Sequence, residues 1–159
     1  MKENYECVGI MYVEGADESL ALPSKSTAGS SGIDLRADLS REGLEVRKAS
    51  IQPGEHLLVP TGVRLEIPEG LEGQIRPRSG LALRNGITVL NSPGTIDSDY
   101  RGEIKVILIN HSKTEFLFSH GDRIAQLVVQ YVPAIDYEFR KGLSTSARSE
   151  KGFGSSGTK

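Results

Sequence analysis

The 159-residue chain contains no tryptophan, a single cysteine and only three histidines. With Cys7 alone no intrachain disulfide can form, which fits a reducing, cytoplasmic setting. His56, His111 and His120 show no metal-ligand spacing, which argues against a structural zinc site. No apolar run approaches the roughly 20 residues of a spanning helix, and Met-Lys-Glu-Asn-Tyr-Glu does not open a secretory signal; no membrane association is expected. Neither sign of charge dominates, with 19 basic against 21 acidic residues, so no nucleic-acid footprint is expected. Heptads and internal repeats are also missing.

What the chain has instead is turns. Eighteen glycines and seven prolines break it into short units. One domain near this size buries about 70% of its unfolded surface. Residues 1–22 are weakly patterned and hold at most one strand. Gly32 to Ala37 alternates apolar with polar residues, the period of a half-buried strand. Further strands are expected at Leu57–Val59, Val63–Ile67, Leu71–Ile75, Ile104–Ile109 and Thr114–Phe118. Arg123–Val132 is the longest apolar stretch, and Pro68-Glu69-Gly70 and His120-Gly121-Asp122 read as turns. The fold class that follows is all-β, a sandwich or barrel.

One helix of barely two turns is expected after Arg76-Pro77-Arg78. Ser79 reads as its N-cap and Gly86 as the residue just past its end. Arg78, Ser79 and Gly80 at its start would make an anion site; a plain strand-to-helix corner fits equally well on local grounds.

The stretch from Val89 to Glu103 carries the most chemistry. Asn91-Ser92-Pro93-Gly94 is a turn in which Pro93 sets φ and Gly94 tolerates a positive φ. The apolar runs on either side make it a hairpin. The hairpin then carries Asp97, Asp99, Tyr100 and Arg101 within five residues, more than stability asks of a turn, although read alone a solvated loop rich in aspartate is the commoner case.

Other positions stay open when read alone. Asp34, beside a glycine-rich loop, is as well read as a solvent-facing strand residue. Gln126, inside an apolar run, is more often a satisfied buried amide than a site residue. Residues 140–159 change to serine, glycine and charge, and on composition they read as a linker. Phe153, between two glycines, is out of keeping with a linker.

Taken in order, five stretches resemble the five motifs of the trimeric dUTPases. They are Ala28 to Leu35, Arg78-Ser79-Gly80-Leu81-Ala82, Asn91 to Glu103, Asp122 to Leu127, and Arg148 to Gly157. The resemblance implies a jelly-roll-like barrel over residues 1–139, with a C-terminal arm, 140–159, exchanged within a homotrimer. It implies hydrolysis of dUTP to dUMP and pyrophosphate, with Asp97 activating the water. Asn91, Gly94, Thr95, Ile96 and Lys105 fall in the nucleoside-binding part, and Tyr100 packs against the deoxyribose. Arg78, Ser79 and Gly80 match the phosphate motif. Asp34 and Gln126 act through ordered water, Asp34 toward a magnesium ion carried on the triphosphate. Arg148, Phe153, Gly154, Ser155 and Ser156 belong to the arm, where the aromatic stacks on uracil.

Two departures from the family pattern appear. Ser149-Glu150-Lys151-Gly152 is poorer in glycine than the usual fifth motif, and Asp38 stands where a small residue is common and reads as a surface detail. A dCTP deaminase, or a bifunctional deaminase and diphosphatase, would need a glutamate on Ile104–Ile109, which has none; a non-catalytic jelly-roll module would have no use for Asp97 and Tyr100 beside the turn.

Overall fold

The computed structural model describes residues 6–41, 47–146 and 149–150. In them, short strands are separated by turns, as the glycine and proline content requires. They are β1 (Gly9–Tyr12), β2 (Gly32–Arg36), β3 (Lys48–Ile51), β4 (His56–Pro60), β5 (Val63–Glu66) and β6 (Leu71–Arg76). The helix α1 (Ser79–Asn85) follows, and then β7 (Ile87–Val89), β8 (Gly94–Ile96), β9 (Lys105–Asn110), β10 (Phe116–Ser119) and β11 (Arg123–Tyr131). All pairings are antiparallel, in sheets ordered β1-β5, β3-β10, β2-β11-β6-β8 and β4-β9-β7.

The period-2 expectation holds along most strands. In β9, Val106, Leu108 and Asn110 point inward, while Lys105 is exposed and Ile107 and Ile109 are half-buried. Leu35, Val59, Ile87, Ile104, Val106, Leu108 and Leu127 form the centre of one core. Burying each such side chain contributes about 1.5–3 kcal/mol. Asn110, the polar residue at the core end of β9, is satisfied there. Its Nδ2 donates to the Ile51 and Thr114 carbonyls, and its Oδ1 accepts the Ser112 N–H.

Three local expectations change. Ser79 is the first helical residue rather than the cap; Arg78 occupies the cap position in extended conformation and makes no side-chain cap bond. Gly86 does end the helix in the left-handed region, at φ 65, with its N–H on the Ala82 carbonyl. Gly94 has no positive φ. It is a strand residue level with Ile75, and a Cβ there would stand 3.3–3.4 Å from Asn91 Nδ2 and Ile75 Cβ, so close packing is what keeps it small. Asp38 is no surface detail: it is 1% exposed and accepts bonds from Ser40 and from the Asp17 N–H.

Candidate active site

The hairpin expected around Asn91 forms, but with a strand set into its connection. β7 and β9 pair, Val89 opposite Leu108 and Ile87 opposite Asn110. Between them the chain leaves as β8 to pair with β6 in another sheet, Gly94 opposite Ile75 and Ile96 opposite Gly73. The Ser92–Pro93 bond at the exit is cis. Two sheets are thereby joined at one turn, and a pocket of about 350 Å³ opens beneath it.

Apolar residues floor that pocket. Leu58 and Ile107 are cross-strand partners on β4 and β9, and Ile75, Val89 and Val106 complete the wall. Asn91, Gly94, Thr95, Ile96, Asp97, Tyr100, Glu103 and Lys105 supply its polar edge. All seven residues expected to meet nucleoside or water on this stretch therefore share one cavity. Asp97, Tyr100 and Lys105 are solvent-exposed. Tyr100 folds back over its own loop. Its hydroxyl donates to the Glu103 carbonyl at 3.0 Å, and a Cβ on Gly102 would stand 2.4 Å from that hydroxyl.

A second constellation lies elsewhere. Asp34 on β2, Gln126 on β11 and Arg76 on β6 are level across three strands. Asp34 is not merely solvent-facing: Arg78 Nε stands 2.9 Å from its Oδ1, and Arg123 Nη1 stands 3.4 Å from its Oδ2. Arg78 also donates to the Arg123 carbonyl. Gln126 Nε2 donates to the Pro77 carbonyl at 2.9 Å, fixing the corner that leads into α1. Ser79 and Gly80 begin that helix, and Arg84 folds back over Gly80, its Nη2 only 2.8 Å from where a Cβ would lie. Arg123 received no role from the sequence. Its only signal there is its place beside Asp122, three residues before Gln126.

The two groups do not meet within one chain. β8 runs antiparallel to β6, so Asp97, one residue past Ile96, stands level with Glu72, while Arg78 lies beyond Arg76. Four residues of strand, about 13 Å at roughly 3.3 Å each, separate those two levels. Arg148, Phe153, Gly154, Ser155 and Ser156 lie outside the described residues. No group of three or more His, Cys, Asp or Glu residues placed to hold a metal occurs among the described residues. Nor is any helix there long and apolar enough to cross a membrane.

The chain is thus a mostly β protein of antiparallel sheets with one short helix, carrying an apolar slot edged by polar groups and, apart from it, an arginine pair on Asp34. The family model for dUTPase matches residues 18–157. Among curated relatives, the deoxyuridine 5'-triphosphate nucleotidohydrolase of Brucella melitensis biotype 2 is 53% identical, over 95% of this chain and 93% of its own. That of Rhizobium meliloti is also 53% identical, over 89% of this chain and 86% of its own. In shape, the chain is similar to a mutant Staphylococcus bacteriophage 80alpha dUTPase solved with dUpNHpp. The TM-score is 0.79 at 21% identity, covering 96% of this chain and 99% of that one. The chain belongs to the dUTPase family.

Proposed function

We propose that this dUTPase hydrolyses dUTP to dUMP and pyrophosphate with the pocket beneath Asn91 holding the nucleoside. The observation that carries this reading is the gathering of Asn91, Gly94, Thr95, Ile96, Asp97, Tyr100 and Lys105 around one apolar slot. Uracil presents an N3–H donor and an O4 acceptor to the turn's backbone; cytosine reverses them and would leave buried groups unpaired. Asp97 takes a proton from water as its oxygen bonds to the α-phosphorus and the bridge to the β-phosphate breaks, releasing pyrophosphate. Such removal of dUTP limits uracil incorporation into DNA and supplies dUMP.

Arg78, Ser79 and Gly80, with Arg123, bind the phosphates: two guanidinium groups and the free N–H groups of a helix start converge there. Gln126 holds the Pro77 corner in place and reaches the attacking water through another. Magnesium would travel on the triphosphate and neutralise part of its charge. Both Asp34 oxygens already face arginines, so Asp34 would meet the ion only through water.

Because Asp97 and Arg78 sit at different levels of β6, a complete site takes them from different copies. We read the four sheets as a jelly-roll barrel that forms a homotrimer, with the C-terminal arm exchanged between copies. The stretch after β11 fits that reading. Ile135, Tyr137, Phe139 and Leu143 are 59–94% exposed, an apolar surface that one chain leaves uncovered. On this basis the arm departs after Val132, whose N–H still bonds the Gly70 carbonyl, ahead of the composition change at Arg140. Light scattering should return three chain masses, and activity should fall on dilution below the assembly range. A monomer that keeps full activity contradicts the shared site.

Pyrophosphate release, measured across the deoxy- and ribonucleoside triphosphates, tests the substrate; dUTP is expected to have by far the highest kcat/KM, with UTP well below it. A deaminase reading finds no glutamate on β9, and the Glu103 carboxylate just ahead is held by Arg41 and the Gly62 N–H. A non-catalytic binding module would release no pyrophosphate. Tyr100→Ala should lower the ratio of kcat/KM for dUTP over UTP more than it slows dUTP. The ring excludes a 2′-hydroxyl by volume, and its removal leaves the base readout untouched. An unchanged ratio removes Tyr100 from that role.

A further inference from the structure

Tyr100 carries the sugar selection proposed above; its ring lies over Gly102, and its hydroxyl donates to the Glu103 carbonyl. What fixes Glu103 lies far away in sequence. Its Oε1 accepts the Gly62 N–H at 2.9 Å and also meets Arg41 Nη2, while Arg41 Nη1 stands 3.4 Å from its Oε2. Lys105 Nζ is 3.8 Å from the same Oε2. The neighbouring backbone is held too: Thr61 Oγ1 donates to the Ile104 carbonyl at 2.6 Å, and the Ile104 N–H reaches the Val63 carbonyl.

Arg41 is itself held from behind. Its Nε lies 3.5 Å from Asp38 Oδ2, and that carboxylate is almost fully buried. Burial by itself would push the Asp38 carboxyl up, but bonds from Ser40 and the Asp17 N–H, with the Arg41 charge, outweigh it and hold the carboxyl below the usual range. Asp38 is therefore charged and can anchor a cation. Gly62 completes the arrangement. At φ +73, with a would-be Cβ 2.5 Å from Asp38 Oδ2, only glycine lets the backbone pass between the two carboxylates and offer its N–H to Glu103. The chain Asp38–Arg41–Glu103 thus runs from the buried end of one loop to the side chain of the residue whose backbone carbonyl accepts the Tyr100 hydroxyl.

We propose that Glu103, held by Arg41 and Gly62, is a positioning residue that sets where the Tyr100 ring stands and so how strongly the site selects 2′-deoxyribose over ribose. The inference rests on the reading of Tyr100 as the sugar-excluding residue. A carboxylate between a forked guanidinium and a backbone N–H has its geometry determined on both oxygens; an amide in its place loses the guanidinium fork. The Glu103 carbonyl, on the same residue, then loses its side-chain anchor and keeps only the hold of its own peptide's Ile104 N–H on the Val63 carbonyl, and the Tyr100 hydroxyl that donates to it shifts with it.

The test uses the full-length protein, with kcat/KM measured for dUTP and for UTP. Glu103→Gln should lower the dUTP-over-UTP ratio by about tenfold, the low end of what a pocket wall can discriminate. The change should appear in KM more than in kcat, since the ring touches substrate and transition state alike. Arg41→Lys keeps a cation but loses the fork, so it should shift the ratio the same way by less; it also decides the matter if Glu103→Gln does not fold. Asn110→Ala, at the far end of β9, should lower the thermal midpoint and leave the ratio alone. An unchanged ratio in the Glu103 and Arg41 variants, or an equal fall in Asn110→Ala, overturns the inference. Tyr100→Ala separates the two failures. If it lowers the ratio and Glu103→Gln does not, only the positioning role is lost; if it does not, the reading of Tyr100 goes as well.

Discussion

Asp97→Asn is expected to lower turnover of dUTP by about 10²- to 10⁴-fold, the usual worth of a general base, with dUTP binding retained. The substitution keeps the shape of the side chain and removes its basicity. Asp97 is suited to the test because it is exposed at the pocket edge rather than built into the core. Among the described residues its carboxylate makes no hydrogen bond or ion pair, whereas Asp34, Asp38 and Glu103 each hold at least one partner. A loss of activity cannot then be traced to a broken network. The thermal midpoint should stay within about 1 °C of the parent, as surface substitutions away from such features usually change stability by less than ±0.5 kcal/mol. Single-turnover hydrolysis and equilibrium binding of dUTP make the check. A variant keeping more than about a third of the parent kcat removes Asp97 from the role, because that loss is far smaller than a general base supplies.

Ending the chain before Arg148 is expected to cut kcat/KM on the order of 10²-fold while the thermal midpoint hardly moves. The reason begins in the pocket. Its walls are Leu58, Ile75, Val89, Val106 and Ile107, and its one aromatic, Tyr100, is assigned to the sugar. No aromatic there remains to stack on the face of the base. On the proposed reading Phe153 would supply that contact, with Arg148 and the Ser155 and Ser156 hydroxyls for the outer phosphates. One phenylalanine among glycines and serines buries too little apolar surface to contribute much to stability, so the loss should appear in catalysis alone. Phe153→Ala should reproduce much of it, and nucleotide should protect residues 148–159 from proteolysis. A truncated protein that hydrolyses dUTP at the parent rate makes the tail a linker.

Much of the candidate site's arrangement was legible in the chain because it is local. Asn91 to Tyr100 spans ten residues, and a turn between two apolar runs must bring its polar groups to one edge. Gly86 was readable for the same reason, since a helix end needs a residue that enters the left-handed region cheaply. The misreadings are also physical. Ser79 has the chemistry of a cap, but the chain turns one residue earlier, at Arg78. Asp38 looks like a surface residue by type, and the bonds from Ser40 and the Asp17 N–H, with Arg41 and the His120 ring beside it, make its burial tolerable.

By itself, the sequence determined the element types, the turn that carries Asp97 and Tyr100, and membership of a recognisable order of motifs. These depend on period, turn chemistry and short spacing, which any stretch of chain displays without its neighbours. The tertiary structure alone decided which distant groups share a charge. Glu103 meets a backbone N–H 41 residues away and a guanidinium 62 residues away, and Arg78 meets Asp34 across 44. It alone also placed Asp97 and Arg78 at different levels of β6, because antiparallel pairing carries β8 away from the helix as β6 runs toward it. No periodicity encodes such pairings. They follow from how the sheets close on one core, where a buried charge is tolerable only if a partner arrives from elsewhere in the chain.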